Sequence, residues 1–358
     1  MKTGSLFNRP PAPLIGLDVS TSSVKLVELG QDRSGQLTLE RCGIELLESG
    51  WISDGNIEKF DEVVEATRRL ISRSGTKTKN VAMALPASVV ISKKIILPGG
   101  LSEREMEVQV ESEANQYIPF SLDEVALDFS VVGPSATSAG DVEVVIAASR
   151  KEKVEDRQGL AEAAGLVPVV MDVETYAARL AVSRIIGRLP GGGVDAVIAL
   201  FEVGGLTSTL QVLRNDDLVY ERDQVFGGAQ LTQMLVRQYG FTFDEAETKK
   251  RAGELPDDFG SVVLQPFVES LAQEIERALK FFFTSTPHHR VDYVLLAGGT
   301  ASLPGLTEVV TRLTSFPCQV VNPFDGMDVA RTVREKRMQR EAPSYLTACG
   351  LAMRRFLR

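Results

Sequence analysis

One motif that occurs twice constrains this chain more than any other feature. The stretch LIGLDVSTSSVKLVEL, Leu14–Leu29, is an apolar strand, one acid, a turn of small hydroxyl residues and a second apolar strand. AVIALFEVGGLTSTLQVL, residues 196–213, has the same layout. Laid over one another without gaps, Asp18 meets Glu202, Ser23 meets Thr207, Leu26 meets Leu210 and Leu29 meets Leu213, at a constant offset of 184 residues. A spacing that long does not belong to a solenoid. It describes two related half-molecules, each presenting an acid-tipped hairpin to a shared cleft. An ordinary turn also has no need of a carboxylate followed by four hydroxyls, Ser20 to Ser23.

With 358 residues the chain is long enough for one to three domains and a substantial core. Its 44% hydrophobic and 24% charged residues are those of a globular protein. A net charge of −9 argues against bulk nucleic-acid binding, which needs a concentrated basic surface. No window reaches the roughly 18 consecutive apolar residues of a membrane span. The opening MKTGSLFNRPPAP has no apolar segment of the kind that directs secretion, so no signal is expected there. Cys42, Cys318 and Cys349 are odd in number and widely scattered, which fits reduced thiols. The two histidines, His288 and His289, share one loop. They suit neither a zinc site nor a Ser-His-Asp arrangement and read as a solvated pair.

After the first hairpin, QLTLERCGIELL reads as a third strand. KFDEVVEATRRLISRSG reads as a helix with Phe60, Val63, Val64, Leu70 and Ile71 on one face and Gly75 at its end. NVAMALPASVVISKKIILP offers two β-rich runs, read as a hairpin over Val81–Leu97. Ser102, with Glu105 three residues on, marks a capped helix start. DEVALDFSVVG and DVEVVIAAS are the next strands, joined by the flexible linker PSATSAG. Then come a helix, a buried strand (VPVVMDVE) and a further helix, before PGGG at 190–193 marks the boundary between halves. The second half continues with a strand ending at Gly227-Gly228, a helix from Ala229 to Tyr239, the helical stretch FDEAETKKRAG and a long helix. The strand VDYVLLAGG, a helix opened by Pro304, the strand CQVVNPF and a terminal helix that returns to the first half complete it. The predicted fold class is α/β. The first lobe is expected from 1–80, 150–190 and 340–358, and a small α+β insert from 81–149. The second lobe is expected over 191–339, with a subdomain inserted at about 240–285.

The turns suit phosphate. Successive backbone N–H groups in a tight turn form an electropositive nest. The hydroxyls of Ser20, Thr21, Ser22 and Ser23 add donors, and Lys25 supplies a positive charge. A carboxylate belongs beside phosphate only if a cation comes with it, and Asp18 would hold Mg²⁺ through a water. Gly204, Gly205 and Thr207 offer bare backbone and a hydroxyl from the opposite side. Gly227 and Gly228 open a helix, a favourable place for phosphate. Gly298, Gly299 and Thr300 end a strand, where glycine lets backbone lie flat against a planar ligand. The plainer alternative there is an ordinary strand-to-helix turn. Glu247 and Lys250, three apart on a helix, are either a surface ion pair or a clamp on a ribose and an adenine.

Two facing hairpins, a strand ending in G-G-T and a helix carrying E-x-x-K resemble the actin/Hsp70/sugar-kinase ATPase superfamily over nearly the whole chain. Within it, LIGLDVSTSSVKLVEL, VAMALPASVVISKKIILP, EANQYIPFSLDEVALDF and FDEAETKKR resemble the PilM family of type IV pilus assembly. The first two stretches also resemble FtsA, the divisome actin homologue, whereas Tyr117, Pro119 and Phe120 in the third look specific to the PilM side. The resemblance implies an actin-like ATPase fold of two RNase H-like lobes with an FtsA-type 1C, SHS2-like insert. It implies phosphate segments at 18–25 and 202–209, an adenosine segment at 298–301, and connecting helices over 172–181 and 345–351. ATP with Mg²⁺ would bind between the lobes, and Asp172 or Glu174 would orient a water. The implied partner is the cytoplasmic N-terminal tail of the membrane protein PilN, in a groove between the insert and the first lobe. That tail would hold the chain on the inner face of the inner membrane and link it indirectly to PilO and the pilus motor ATPases. Glu202 departs from the aspartate usual in the superfamily, which bears on Mg²⁺ handling and hydrolysis. Weak self-association is common among actin relatives. Two other readings stay open. A small-molecule kinase needs a carboxylate base aimed at an acceptor hydroxyl. An FtsA-like filament former would carry Arg354, Arg355 and Arg358 on a membrane-binding terminal helix.

Overall fold

The computed structural model describes residues 12–357 apart from 54 and 136. The opening segment read for a secretion signal thus lies almost entirely outside the described residues. The first half begins β1 (Ile15–Val19), β2 (Ser23–Gln31), β3 (Leu37–Leu46), the short pair β4 (Ile52–Ser53) and β5 (Asn56–Ile57), α1 (Phe60–Ser74) and β6 (Asn80–Leu85). It continues with β7 (Ile91–Pro98), α2 (Glu103–Ala114), β8 (Val125–Pro134), β9 (Asp141–Arg150), α3 (Lys151–Ala163), β10 (Val167–Val173) and α4 (Glu174–Ile186). The second half holds β11 (Val197–Val203), β12 (Ser208–Arg214), β13 (Asp217–Gln224), α5 (Gly228–Tyr239), α6 (Phe243–Ala252), α7 (Gln265–Ser285) and β14 (Tyr293–Ala297). Last come α8 (Leu306–Thr314), β15 (Cys318–Val320), β16 (Asp328–Val329), α9 (Glu335–Glu341) and α10 (Leu346–Met353).

Each half builds the same sheet. The first is ordered β10-β6-β1-β2-β3, extended by β16, and the second β15-β14-β11-β12-β13. In both, three antiparallel strands lead into two parallel ones. The repeat holds at the level of single residue pairs. Leu17 faces Leu26 and Asp18 faces Lys25 in the first hairpin, while Phe201 faces Leu210 and Glu202 faces Thr209 in the second. The 184-residue offset therefore preserves register, which a slip of one residue would have inverted by turning every side chain to the other face. Leu17, Leu26, Phe201 and Leu210 are almost fully buried because the central strands are covered on both faces. One core lies under α1 and α3, and another under α5, α7 and α8. A third, around α4 and α10, takes side chains from both sheets, including Val27, Leu29, Ile198 and Leu295. The terminal helix α10 is buried at every position and packs back into this core.

Several expectations are corrected by strand pairing. The runs at 80–85 and 91–98 do not pair with one another. β6 lies between β1 and β10 in the first lobe's sheet, and β7 pairs with β9. The insert, a three-stranded sheet ordered β7-β9-β8 backed by α2, thus starts after Leu85 rather than at 81. Its helix opens on the expected capping box of Ser102 and Glu105. β10 is an edge strand and not a buried one, with Val167 and Val169 about half exposed. β16 joins β3, so the chain re-enters the first lobe at 328 rather than 340. The last full helix before it begins at Leu306, two residues after Pro304. His288 stacks on Phe282 at 5.7 Å and is only half-exposed.

Candidate functional site between the hairpins

Register brings each acid to the tip of its hairpin. Asp18 and Lys25 are cross-strand partners, and the Lys25 Nζ lies 2.7 Å from Asp18 Oδ2. Lys25 also donates to Ser20 Oγ at 3.1 Å, and both the amide and the hydroxyl of Ser20 donate to the Ser23 carbonyl at 3.0 Å. The second turn closes through Gly204 N–H donating to Thr207 O at 2.9 Å. The two turns abut. A Cβ added to Gly205 would meet Ser22 Oγ at 3.3 Å and Thr21 Oγ1 at 3.7 Å.

The glycine pairs converge on the same point. Gly228 and Ala229, at the start of α5, donate to the carbonyls of Gly204 and Gly205 at 2.9 and 2.8 Å, and Gly227 N–H donates to Gln230 Oε1. The first amides of this helix are thus engaged by the hairpin and its own cap rather than left open for phosphate. Thr300 Oγ1 donates to Gly204 O at 3.3 Å. Gly298 has φ +90° and lies so close to Val203 that a Cβ would fall 2.3 Å from its carbonyl, which only glycine accommodates. Glu247 pairs with Lys250 at 2.5 Å, and both reach Thr232 on α5. Although burial works against its charge, Lys250, Thr232 and Arg251 hold the Glu247 carboxyl below the usual range. The pair is therefore joined to the helix that caps the second turn.

Glu174 and Glu202 face a cavity of about 180 Å³ beneath the hairpins, shared with Thr175, Thr207, Thr209 and Gln211. Desolvation, then the like charges of Asp18 and Glu202, pushes Glu174 up to about 8, against the opposing pull of Arg157 and Lys25. Desolvation and Asp18 likewise raise Glu202 to about 7, although Thr347 donates to its Oε1 at 3.2 Å. Carboxyls that repel one another in a desolvated pocket favour a neutralising cation or proton. Among the described residues no group of three or more His, Cys, Asp or Glu side chains can hold a metal directly. Asp18, Glu174 and Glu202 supply carboxylate oxygens of the kind a hydrated cation takes. The glycine cradle, the hydroxyls and Lys25 suit phosphate oxygens.

Of the two acids expected to orient water, only Glu174 joins this cluster. Asp172, at the end of β10, is gripped by Arg354, whose Nη2 donates to Oδ1 at 2.9 Å. It lines a second cavity of about 450 Å³ between the first lobe and the insert. One wall is β10, from Val170 to Val173, with Tyr176; the other is β8, from Ala126 to Ser130, with Ala147 and Ala148. Sequence reasoning missed Thr347, Gln211 and Arg157, and read Arg354 only as a charge on a membrane-binding helix. No local pattern marks their contacts with Thr175, Glu202 and Asp172, which span 36, 145 and 182 residues, or the charge that Arg157 turns on Glu174.

Repeated sheets, crossed connecting helices and facing acid-tipped hairpins define an actin-like ATPase fold. The chain is similar to a solved PilM–PilN type IV pilus biogenesis complex, at 27% identity and a TM-score of 0.80, covering 98% of this chain and 100% of that one. It shares its fold with the ethanolamine utilization protein EutJ from Carboxydothermus hydrogenoformans, at 19% identity and a TM-score of 0.58, over 96% and 90% of the two chains. The family model for the type IV pilus assembly protein PilM matches residues 16–356, and the chain belongs to that family.

Proposed function

We propose that this chain is a nucleotide-binding scaffold of type IV pilus assembly that receives the cytoplasmic N-terminal tail of PilN in the groove between the first lobe and the insert. The observation that carries this reading is the full-length likeness to a PilM–PilN complex together with family membership over 16–356. The groove itself supports it. β8 and β10 are the outermost strands of their respective sheets, and both line the 450 Å³ cavity. An extended tail suits such a site, because strand edges supply backbone partners and apolar walls accept alternate side chains. Among the described residues no helix is long and apolar enough to cross a membrane, so in this reading PilN supplies the attachment to the inner membrane.

For the nucleotide, Ser20 to Ser23, Lys25 and Gly204 to Thr207 would hold phosphates, and Asp18 would hold the water shell of Mg²⁺. Gly298 to Thr300, with Glu247 and Lys250, would frame adenosine. ATP with Mg²⁺ would supply a polyanion that donors on both hairpins could hold. The cavity beneath the hairpins is smaller than the roughly 300–1,000 Å³ of small-molecule pockets. The turns in contact would therefore part to admit a triphosphate. Titration of a fluorescent PilN tail peptide tests the partner site. Binding by the parent chain and its loss on Ala126→Arg, in a protein of unchanged Tm, is the expected result; equal binding by both would remove the groove from the proposal.

A further inference from the structure

The two helices that join the lobes each touch both sites. At the start of α4, Glu174 faces the cavity below the hairpins while Tyr176, two residues on, lines the groove and hydrogen-bonds Ser92 on β7 of the insert. At the start of α10, Thr347 donates to Glu202 of the second lobe, and just past its end Arg354 holds Asp172 in the groove wall. The two contacts are seven positions apart, about 10 Å along the axis. The helices are locked together where they meet. A Cβ on Gly350 would sit 1.8 Å from the Ala177 carbonyl, and one on Gly16 would sit 2.0 Å from Ala348 O, so α10 is also seated on the strand that carries Asp18.

Two hydrogen bonds cross from the β11–β12 hairpin onto the starts of these helices: Thr347 to Glu202, and Gln211 Nε2 to Thr175 O at 3.4 Å. Both are made while the hairpin turns abut. We infer that α4 and α10 form a coupling element, through which parting the hairpins around a triphosphate changes how tightly the groove holds an extended peptide. The inference rests on the function proposed above and adds its regulation. Interactions packed backbone to backbone do not deform continuously. A change at the helix starts is passed to Tyr176 and Arg354 rather than absorbed. By linkage the effect is reciprocal, so the peptide shifts nucleotide affinity by the same factor.

The test titrates the full chain with a fluorescent peptide of the PilN N-terminal tail, with and without ATP and Mg²⁺, and with a fluorescent ATP analogue with and without the unlabelled peptide. The expected result is a change in peptide Kd of at least about fivefold, matched by an equal factor for the nucleotide. In Thr347→Val, which keeps the shape but removes the donor to Glu202, that factor falls towards one. Ser92→Ala, an exposed change that frees Tyr176 from the insert, does the same and guards against a folding defect in the first variant. If both ligands bind and neither affects the other, the coupling is overturned while the scaffold reading stands. If both variants retain the parent's factor, the helices are not the route and the inference is likewise overturned. If the chain binds no peptide at all, both readings go.

Discussion

Glu174 shows what burying a carboxyl, and then placing it among others, does. Its ordinary pKa of 4.5 is raised to about 8, and that of Glu202 to about 7. Between the ordinary and raised values the folded chain binds more protons than the unfolded one, so stability is highest below about pH 4.5 as far as these groups decide it, and declines as pH rises through 7 and 8. Thermal melts from pH 5 to pH 9 are expected to show a falling Tm, and Glu174→Gln is expected to flatten that fall. A parent Tm that rises over this interval would contradict the arrangement. The acid tips, Asp18 and Glu202, and the hydroxyl run were legible in the sequence because a repeat exposes them. Glu174 was legible only as one of two candidates. The difference between it and Asp172 lies in Arg354, 182 residues away from Asp172 in the chain, which no local pattern connects to it.

Among elements, β1, β2, α1 and α2 were readable because their signals are local: alternating or continuous apolar residues, a left-handed Gly75 at the end of α1, and the capping box of Ser102 and Glu105. β6 and β7 were readable as strands but not as partners. Periodicity says which residues face a core and nothing about which sheet they join, so two neighbouring runs passed for a hairpin. The contact between α4 and α10 was equally hidden. Gly350→Ala adds a methyl where the Ala177 carbonyl already stands, so the variant is expected to lose at least about 1–3 kcal/mol, measured by urea unfolding. Arg354→Ala leaves the Asp172 carboxylate, whose side chain is 7% exposed, without its counter-charge. A loss of about 1–3 kcal/mol is expected. Faster hydrogen exchange over 170–176 and 351–356 would locate it; unchanged exchange there would mean the pair does not anchor the chain end.

At the scale of the whole molecule, the lobes meet at the abutting turns, through hydrogen bonds onto α4 and α10, and in the shared core around those helices. Gly205→Val is a probe of the first, since its side chain would fill the gap to Ser22. Affinity for a fluorescent ATP analogue is expected to fall at least about tenfold, a cost of about 1.4 kcal/mol. Unaltered affinity would show that nucleotide does not enter between the turns.

The duplicated strand order carries a consequence for how such a molecule can be elaborated. In the first half the insert is spliced between β6 and α3; the topological twin of that junction is the link from β14 to α8, which holds Gly298 to Gly305. One rung of the ladder has thus been enlarged into a second small sheet, while its counterpart stays short and hugs Val203. Grafting a comparable module onto the second half would displace the backbone proposed to shelve the adenine. Ornament on one side and economy on the other follow from a single inherited blueprint.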